Sequence, residues 1–261
     1  MDRILEMNLC CLEASFESEI ALEANIGSAI RSFVTRAAGM IVGIVRAIAK
    51  ALRSAADMIR SKMKRSKQKA PKNTGSDGYD DYEAPQSDEG VSALNEVEKQ
   101  LPWVEKVITG VNAILSHAFA WLTEAMKDGQ ITFDYMDENF VDQWRADREN
   151  LADYKKGMQK FDQSVQELKK HPDVYINQLL QKMGALDDKL DNAYKTCEGM
   201  AIGLEQAIKK GTAASERAKL PDDVDDAKHR QMIIRAVTNA TNSVKEIVLI
   251  FHRSLKSLMS N

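Results

Sequence analysis

Hydrophobic residues recur at intervals of three and four across residues 25–69, in the longest such pattern of the chain. At about 100° per residue these positions fall on one face of an α-helix, while arginine and lysine fall outside it. Asp57 is the only acidic residue between Glu23 and Asp77. The pattern therefore predicts a basic amphipathic helix with one apolar face and one cationic face.

Both faces of this helix supply candidate functional residues, because such a helix can bind an apolar surface with one face and a polyanion with the other. The predicted apolar docking face consists of Ile30, Ile41, Ile44, Ile48, Leu52 and Ile59. The predicted polyanion-binding cations are Arg31, Arg36, Arg46, Lys50, Arg53, Arg60, Lys62, Lys64 and Arg65.

Residues 91–261 show helical spacing over long stretches that few turn signals interrupt. Helices are predicted over 92–100, 102–129, 137–171, 174–211 and 220–258, with a kink or a new start at Pro102. We expect Asp173 to cap the fourth of these helices and the acidic cluster at 222–226 to cap the last. The last helix is expected to bury Val224 and Met232 with the rest of its apolar face.

Residues 130–136 form the only β-like run. At that length they predict a loop whose Ile131, Phe133 and Tyr135 dock onto neighbouring helices, with Asp137 capping the helix that follows.

The order of these elements predicts an all-α protein. Each predicted helix has one apolar face and short connections, which favours an antiparallel bundle of four or five helices over residues 91–261. A disordered linker is predicted at 70–90, where proline, glycine and charged residues replace aliphatic ones. The basic amphipathic helix at 25–69 and an acidic leader at 1–24 precede this linker.

Charge and cysteine content narrow the possible environments. The 261 residues carry a formal net charge of −3, which conceals an acidic leader, a basic helix and an acidic stretch in the linker. Three cysteines, two of them adjacent, do not predict a disulfide framework, and Cys197 is predicted to be a buried thiol. The acidic N-terminus argues against a signal peptide or transit peptide, and the apolar run at 37–45 is too short to cross a bilayer.

No motif in the chain specifies a reaction. The chain lacks a phosphate loop, a dinucleotide-binding fingerprint, a nucleophile elbow and a Cys-x-x-Cys pair, and its four histidines lie on separate predicted segments. We therefore expect no catalysis, no cofactor, no metal site and no small-molecule substrate.

Three interpretations of the basic helix remain open at this point. It could dock on the helical bundle with a solvated cationic face, lie on an anionic membrane surface, or neutralise nucleic acid phosphates without reading sequence.

Two short motifs in the leader add a resemblance. Ser15-Phe16-Glu17 and Ala21-Leu22-Glu23 each place a small residue two positions before a glutamate. They resemble the sites that prohead proteases of large tailed bacteriophages cut in internal head proteins, and the order of segments over the first seventy residues is similar to such virion proteins. The resemblance implies cleavage after Glu17 or Glu23.

Such cleavage would remove an electrostatic mask and release the cationic helix to engage DNA, the capsid lining or a host membrane. The implied partners are capsid or other virion proteins, and the implied location is the virion or the host cytoplasm. The sequence as a whole therefore predicts a non-enzymatic structural or interaction protein. An α-helical membrane-active effector or pore-forming protein, in which residues 26–63 insert, is the alternative.

Overall fold

Five long α-helices pack side by side in the computed structural model, which describes residues 10–14, 17, 26–69, 86–127, 130–214 and 224–260. The long helices are α1 (Ile26–Lys69), α2 (Asp88–Ala125), α4 (Asp142–Leu168), α6 (Asp187–Ala214) and α7 (Val224–Met259). The short elements are α3 (Phe133–Met136), which continues through a π-helix (Asp137–Val141) into α4, and α5 (Asn177–Met183), which a 3₁₀ turn (Gly184–Leu186) joins to α6.

The all-α class is confirmed, since these described ranges contain no strand. The predicted linker lies outside the described residues up to residue 85, and so does the leader except for 10–14 and 17.

Successive long helices alternate in direction along the chain. Going up α1 from Arg46 to Arg60, the ion-pair partners on α6 fall from Glu205 to Asp187, so the two helices are antiparallel. In contrast, Ser54 and Lys62 of α1 contact His252 and the Met259 carbonyl of α7, which makes α1 and α7 parallel neighbours. The bundle therefore contains both parallel and antiparallel pairs of neighbouring helices.

The parallel pairs keep a constant register. Contacts of α4 with α7 join Lys155 to Glu246 and Gln166 to Ser257, each pair 91 residues apart. Glu98 of α2 pairs with Lys182 of α5, 84 residues away. The next such pair joins Glu105 of α2 to Lys189 of α6, seven residues later on both sides. A contact that repeats every seven residues is typical of coiled-coil packing, in which neighbouring helices do not drift apart.

The basic amphipathic helix is a member of the bundle. α1 packs lengthwise against α6 and α7, and its predicted apolar docking face is at most 4 % exposed throughout. Small residues at the border of that face, such as Ala38 and Ala56, are buried as well. Of the three interpretations that the sequence left open, docking on the bundle is the one that the structure of α1 shows. α1 is therefore not a separate arm, because burial of its wide apolar sector stabilises the packed position.

α2 differs from the prediction at its start, predicted at Ser92, and at the break predicted at Pro102. It begins at Asp88, where Ser87 caps it by accepting a hydrogen bond from the Gly90 N–H at 3.2 Å, and not at Ser92. It also runs unbroken through Pro102, whose ring faces solvent. The apolar stripe continues on both sides of the proline, and we attribute the unbroken helix to that packing, which offsets the lost hydrogen bond.

The segment predicted as a docking loop is largely helical. Thr132 caps α3 by accepting a hydrogen bond from the Tyr135 N–H at 3.3 Å, so Asp137 is not the cap. Ile131 is buried and Tyr135 half-buried, as expected, but Phe133 is 70 % exposed.

The helix predicted over 174–211 is divided. Asp173 does not cap it, because its carboxylate accepts a hydrogen bond from the Ser87 N–H at 2.8 Å and so joins the start of α2 to the α4–α5 connection. α5 starts later, at Asn177, and the 3₁₀ turn at Gly184 separates it from α6.

Two predicted core residues of α7 lie at its surface. Val224 is 42 % exposed and Met232 is 49 % exposed, although the rest of the predicted face is buried.

Two glycines allow α2 and α4 to approach closely. A Cβ atom at Gly110 would collide with the Tyr154 ring, and one at Gly157 would collide with the Trp103 indole. The two aromatic rings meet edge to face, with centroids 6.1 Å apart. Each helix therefore receives a large side chain of the other at a position where only glycine leaves room.

A buried ion pair fixes the start of α7 to the end of α2. Arg230 donates to Asp226 at 2.7 Å and to the Ala125 carbonyl at 2.5 Å, and both charged side chains are at most 1 % exposed. The other oxygen of Asp226 accepts from the Ile131 N–H at 2.6 Å. Asp226 thus serves as an interior charge partner, whereas the sequence predicted that it would cap a helix end.

Candidate polyanion-binding face of the first long helix

The outer surface of α1 is a narrow stripe that its wide buried sector leaves exposed. Members of this stripe follow one another at intervals of three and four residues. They are Arg36, Gly39, Gly43, Arg46, Lys50, Arg53, Asp57, Ser61 and Lys64. With a rise of about 1.5 Å per residue, the stripe is about 42 Å long from Arg36 to Lys64. We call it the outer stripe.

Acidic residues of α6 neutralise two of the predicted cations. Arg46 pairs with Glu205 at 2.5 Å. Arg60 donates to Asp187 at 2.8 Å and lies 3.8 Å from Asp191. The hydrogen bond to Asp187 is the main reason why the pKa of Arg60 is raised. These two arginines hold α1 against α6 and contribute little free charge to the surface.

Two further cations have contacts within the bundle. The Arg53 guanidinium donates to the Tyr194 hydroxyl at 3.3 Å and lies 5.5 Å from the centre of its ring. Lys62 donates to the Met259 carbonyl at 3.0 Å, near the end of α7. Arg31, near the start of α1, is half-buried.

The remaining four predicted cations are exposed. Arg36, Lys50, Lys64 and Arg65 make no ion pair or hydrogen bond to any residue that the structure describes. A charge that is exposed and unpaired adds little to folding stability, so it is available to an external anion. These four residues, which we call the open cations, form the core of the candidate site; three of them lie on the outer stripe, and Arg65 follows Lys64 at its end.

A shallow groove of about 530 Å³ lies beside the middle of the outer stripe, lined by Lys50, Arg53, Ser54, Asp57, Met58 and Ser61. Ser54 is hydrogen-bonded to His252 of α7 at 2.9 Å. Burial lowers the pKa of His252, and the nearby charge of Lys256 lowers it further. Sequence reasoning missed this pair, because its members are 198 residues apart and neither belongs to a motif.

A second histidine contact joins α2 to α4. His117 Nδ1 donates to the buried carboxylate of Asp147 at 2.9 Å, and Asp147 also accepts from Gln143 at 3.0 Å. These hydrogen bonds fix the imidazole and satisfy a charge that is 2 % exposed. The contact therefore has a clear role in packing.

The described part of the acidic leader lies on α7. Glu13 accepts two hydrogen bonds from Arg235, at 3.0 and 2.7 Å, and Glu17 accepts one from Gln231 at 3.2 Å. Neither glutamate contacts the outer stripe in this arrangement. Glu17 is exposed, whereas the other predicted cleavage residue, Glu23, lies outside the described residues.

The three cysteines fall into two environments. Cys10 and Cys11 are exposed. Cys197 is completely buried in α6, as predicted, and burial raises the pKa of its thiol to about 12.

The described residues also bear on metal binding and on membrane insertion. Within the described ranges, no group of three or more His, Cys, Asp or Glu side chains could hold a metal ion. One described helix, over 27–65, is long and apolar enough to cross a membrane, and 56 % of its most apolar window is buried against the rest of the bundle. A core helix of a bundle can have the same length and composition, so these two properties do not distinguish a membrane-spanning helix from a core helix.

No protein-family model, no curated protein and no solved structure matches this chain.

Proposed function

We propose that this chain is a non-enzymatic structural or interaction protein that contacts the phosphates of nucleic acid through the outer stripe of α1. The observation that carries the proposal is the position of the open cations. Arg36, Lys50, Lys64 and Arg65 project from one helix whose apolar face is already buried. Since the helix is fixed by α6 and α7, the charges are presented at set positions along about 42 Å.

The expected binding is electrostatic and independent of base sequence. Phosphate contacts release counterions, so affinity falls as salt rises, with a slope set by the number of phosphates neutralised. The outer stripe has no aromatic side chain that could stack on bases. It also has no pair of side chains arranged to hydrogen-bond base edges in a groove. Packaging inside a phage head, which the leader motifs suggest, would require contact of this kind.

The test is binding of labelled duplex DNA to the full chain, measured by fluorescence anisotropy over a series of salt concentrations. One variant carries Arg36→Gln, Lys50→Gln, Lys64→Gln and Arg65→Gln. Its matched control carries Lys99→Gln, Lys127→Gln, Arg145→Gln and Lys170→Gln, which removes the same charge from exposed i,i+3 pairs elsewhere.

We expect the first variant to bind at least tenfold more weakly at low salt and to lose about 3.6 units of salt slope, since four phosphate contacts are removed at about 0.9 each. The control should change much less. Equal losses in the two variants would show that net charge alone governs binding, and absence of binding by the unaltered chain would reject the proposal.

The length and hydropathy of α1 favour a second candidate, a membrane-active protein. Insertion would require α1 to leave α6 and α7, exposing the apolar faces that those helices now cover. Leakage of anionic vesicles that persists at high salt would support this function. Leakage that is absent, or vesicle binding that disappears with salt, would favour the phosphate-binding proposal.

A further inference from the structure

A groove between α4 and α7 carries an inference that is independent of the outer stripe. Its volume is about 630 Å³, which lies in the range of small-molecule sites in proteins. Each helix supplies one wall, and the two walls stay in step because the helices run parallel with a constant offset of 91 residues. We call this cavity the α4–α7 groove.

One end of the groove is apolar. α4 contributes Phe140 and Trp144 to this end, and α7 contributes Met232 and Ala236. The two aromatic rings pack edge to face against Trp121, with centroids 5.0 and 6.3 Å from its ring, which fixes the shape of the wall. Met232 is 49 % exposed, so an apolar chain bound at this end would remove its side chain from water.

The charge of the groove is positive. Among the described residues that line it, three are cations and none is acidic. Arg235 is paired with Glu13 and Lys155 with Glu246, at 2.7 Å in each case. Arg148 is exposed and makes no ion pair or hydrogen bond to any described residue. Arg148 therefore gives the groove one positive charge that an external anion can neutralise.

The unpaired charge lies in the middle of the groove, next to the apolar end. With the offset of 91 residues, Arg148 lies level with Asn239, which lines the opposite wall. Phe140 comes eight residues before Arg148 on α4, which corresponds to about 12 Å. A guanidinium and an amide thus lie at one level of the groove, and an apolar wall about 12 Å long leads away from them.

From this arrangement we propose that the α4–α7 groove binds a free long-chain carboxylate, such as dodecanoate. The guanidinium of Arg148 pairs with the carboxylate, and the amide of Asn239 donates a further hydrogen bond to it. The alkyl chain lies along Phe140, Trp144 and Met232, where burial of its CH₂ groups supplies most of the affinity. The ligand and the groove thus match in charge and in the order of their polar and apolar parts.

The first experiment titrates dodecanoate into the full chain by isothermal titration calorimetry, below the concentration at which dodecanoate forms micelles. Octanoate and dodecyltrimethylammonium are titrated in parallel. We expect one saturable site for dodecanoate, at least tenfold weaker binding of octanoate because fewer CH₂ groups are buried, and no binding of the cation. Absence of dodecanoate binding, uptake that does not saturate, or equal binding of the cation would overturn the proposal. Attachment of the chain to anionic vesicles without binding of monomeric dodecanoate would overturn it as well.

Two variants, each with a matched control, test the two parts of the site. Arg148→Gln removes the unpaired charge. Its control is Arg145→Gln, because Arg145 pairs with Asp142 at the surface of α4 and does not line the groove. Met232→Asp places a charge at the apolar end. Its control is Val224→Asp, because Val224 is 42 % exposed on the same helix and lies outside the groove.

Each test variant should bind dodecanoate at least tenfold more weakly, with its helical circular dichroism unchanged, and each control should bind it as the unaltered chain does. Equal losses in a variant and its control would reject the site. Replacement of the open cations should leave the affinity for dodecanoate unchanged, because none of them lines the groove. Failure of the phosphate-binding proposal can thus be distinguished from failure of this one.

A second measurement locates the bound ligand. It uses the full chain with Cys10→Ser and Cys11→Ser, to which either Met232→Cys or Ser61→Cys is added. Saturating dodecanoate should slow maleimide labelling at position 232 at least fivefold and leave the rate at position 61, on the outer stripe of α1, unchanged. Equal protection of the two positions, or no protection of position 232, would overturn the proposal.

Discussion

The buried ion pair of α7 shows at the scale of single residues how a polar group can fix a helical bundle. The i,i+4 spacing of Asp226 and Arg230 is visible in the sequence, and a surface pair would look the same. What distinguishes the pair is the set of carbonyl and N–H groups that it joins beyond α7, at Ala125 and Ile131. Those contacts depend on the fold and could not be predicted from the spacing.

Replacing Asp226 with Ala should destabilise the protein by about 3–5 kcal/mol, because Arg230 would keep a buried charge without its carboxylate. Urea unfolding followed by circular dichroism measures this loss. Asp225→Ala is the matched control, since Asp225 is exposed and pairs with Lys228 at the surface. Similar losses for the two variants would contradict the importance of burial.

Glycines in the helices should respond in opposite ways to alanine. At Gly43 an added Cβ meets no atom within 4 Å, so Gly43→Ala should stabilise the protein by about 0.5–1 kcal/mol through helix propensity. At Gly157 the same change should destabilise it, because the Cβ would collide with Trp103. Thermal unfolding of the two variants gives the comparison, and shifts of the same sign would refute it.

The rate of thiol modification should also differ between the three cysteines. In the native protein, a thiol reagent should modify Cys10 and Cys11 quickly and leave Cys197 unmodified, because Cys197 is buried and its pKa is raised to about 12. Peptide mass analysis identifies the labelled sites. Modification of Cys197 at a rate near that of Cys10, without denaturant, would show that α6 opens readily.

At the scale of elements, periodicity predicted which faces are buried better than where helices begin and end. The apolar face of α1 was predictable because Ile30, Ile41 and Ile48 recur at helical spacing. The continuity of α2 was not, since Pro102 is normally a boundary and only its packed context keeps the helix whole. Thr132 was missed because the β-like run at 130–136 predicts a loop, which puts the start of the next helix at Asp137.

The contact between α1 and α7 should depend on pH through His252. Its lowered pKa means that, as pH falls through about 6.5, the unfolded chain binds a proton before the folded chain does. Folding stability should therefore decrease from pH 7 towards pH 5 and should do so less in His252→Gln. Urea unfolding at several pH values tests this, and identical pH profiles for the two proteins would contradict it.

At the scale of the whole molecule, the position of α1 in the bundle changes what the N-terminal region does. The sequence predicted its amphipathic face but not its partners, because a helical pattern does not specify which distant helix covers it. The open cations were likewise predicted as part of a larger set. Distinguishing them from Arg46 and Arg60 required knowing that acids of α6 lie alongside α1.

A chain that begins at residue 86 should fail to fold cooperatively, because the loss of α1 would expose the faces of α6 and α7 that it covers. A chain that begins at residue 24 should keep its helical content and a single urea transition. Circular dichroism on the two shortened chains makes the test. A cooperative, fully helical product beginning at residue 86 would show that α1 is dispensable for the bundle.

The parallel arrangement of α1 and α7 has a geometric consequence for anything attached to the protein. Lys62 and Met259 meet at one pole of the bundle, whereas the start of α1 lies about 36 residues, or about 54 Å, away from that pole. A group joined directly to the start of α1 in place of the leader, and a group joined after α7, would thus be held at opposite poles. The folded chain then acts as a rigid spacer that keeps two attached bodies about five nanometres apart.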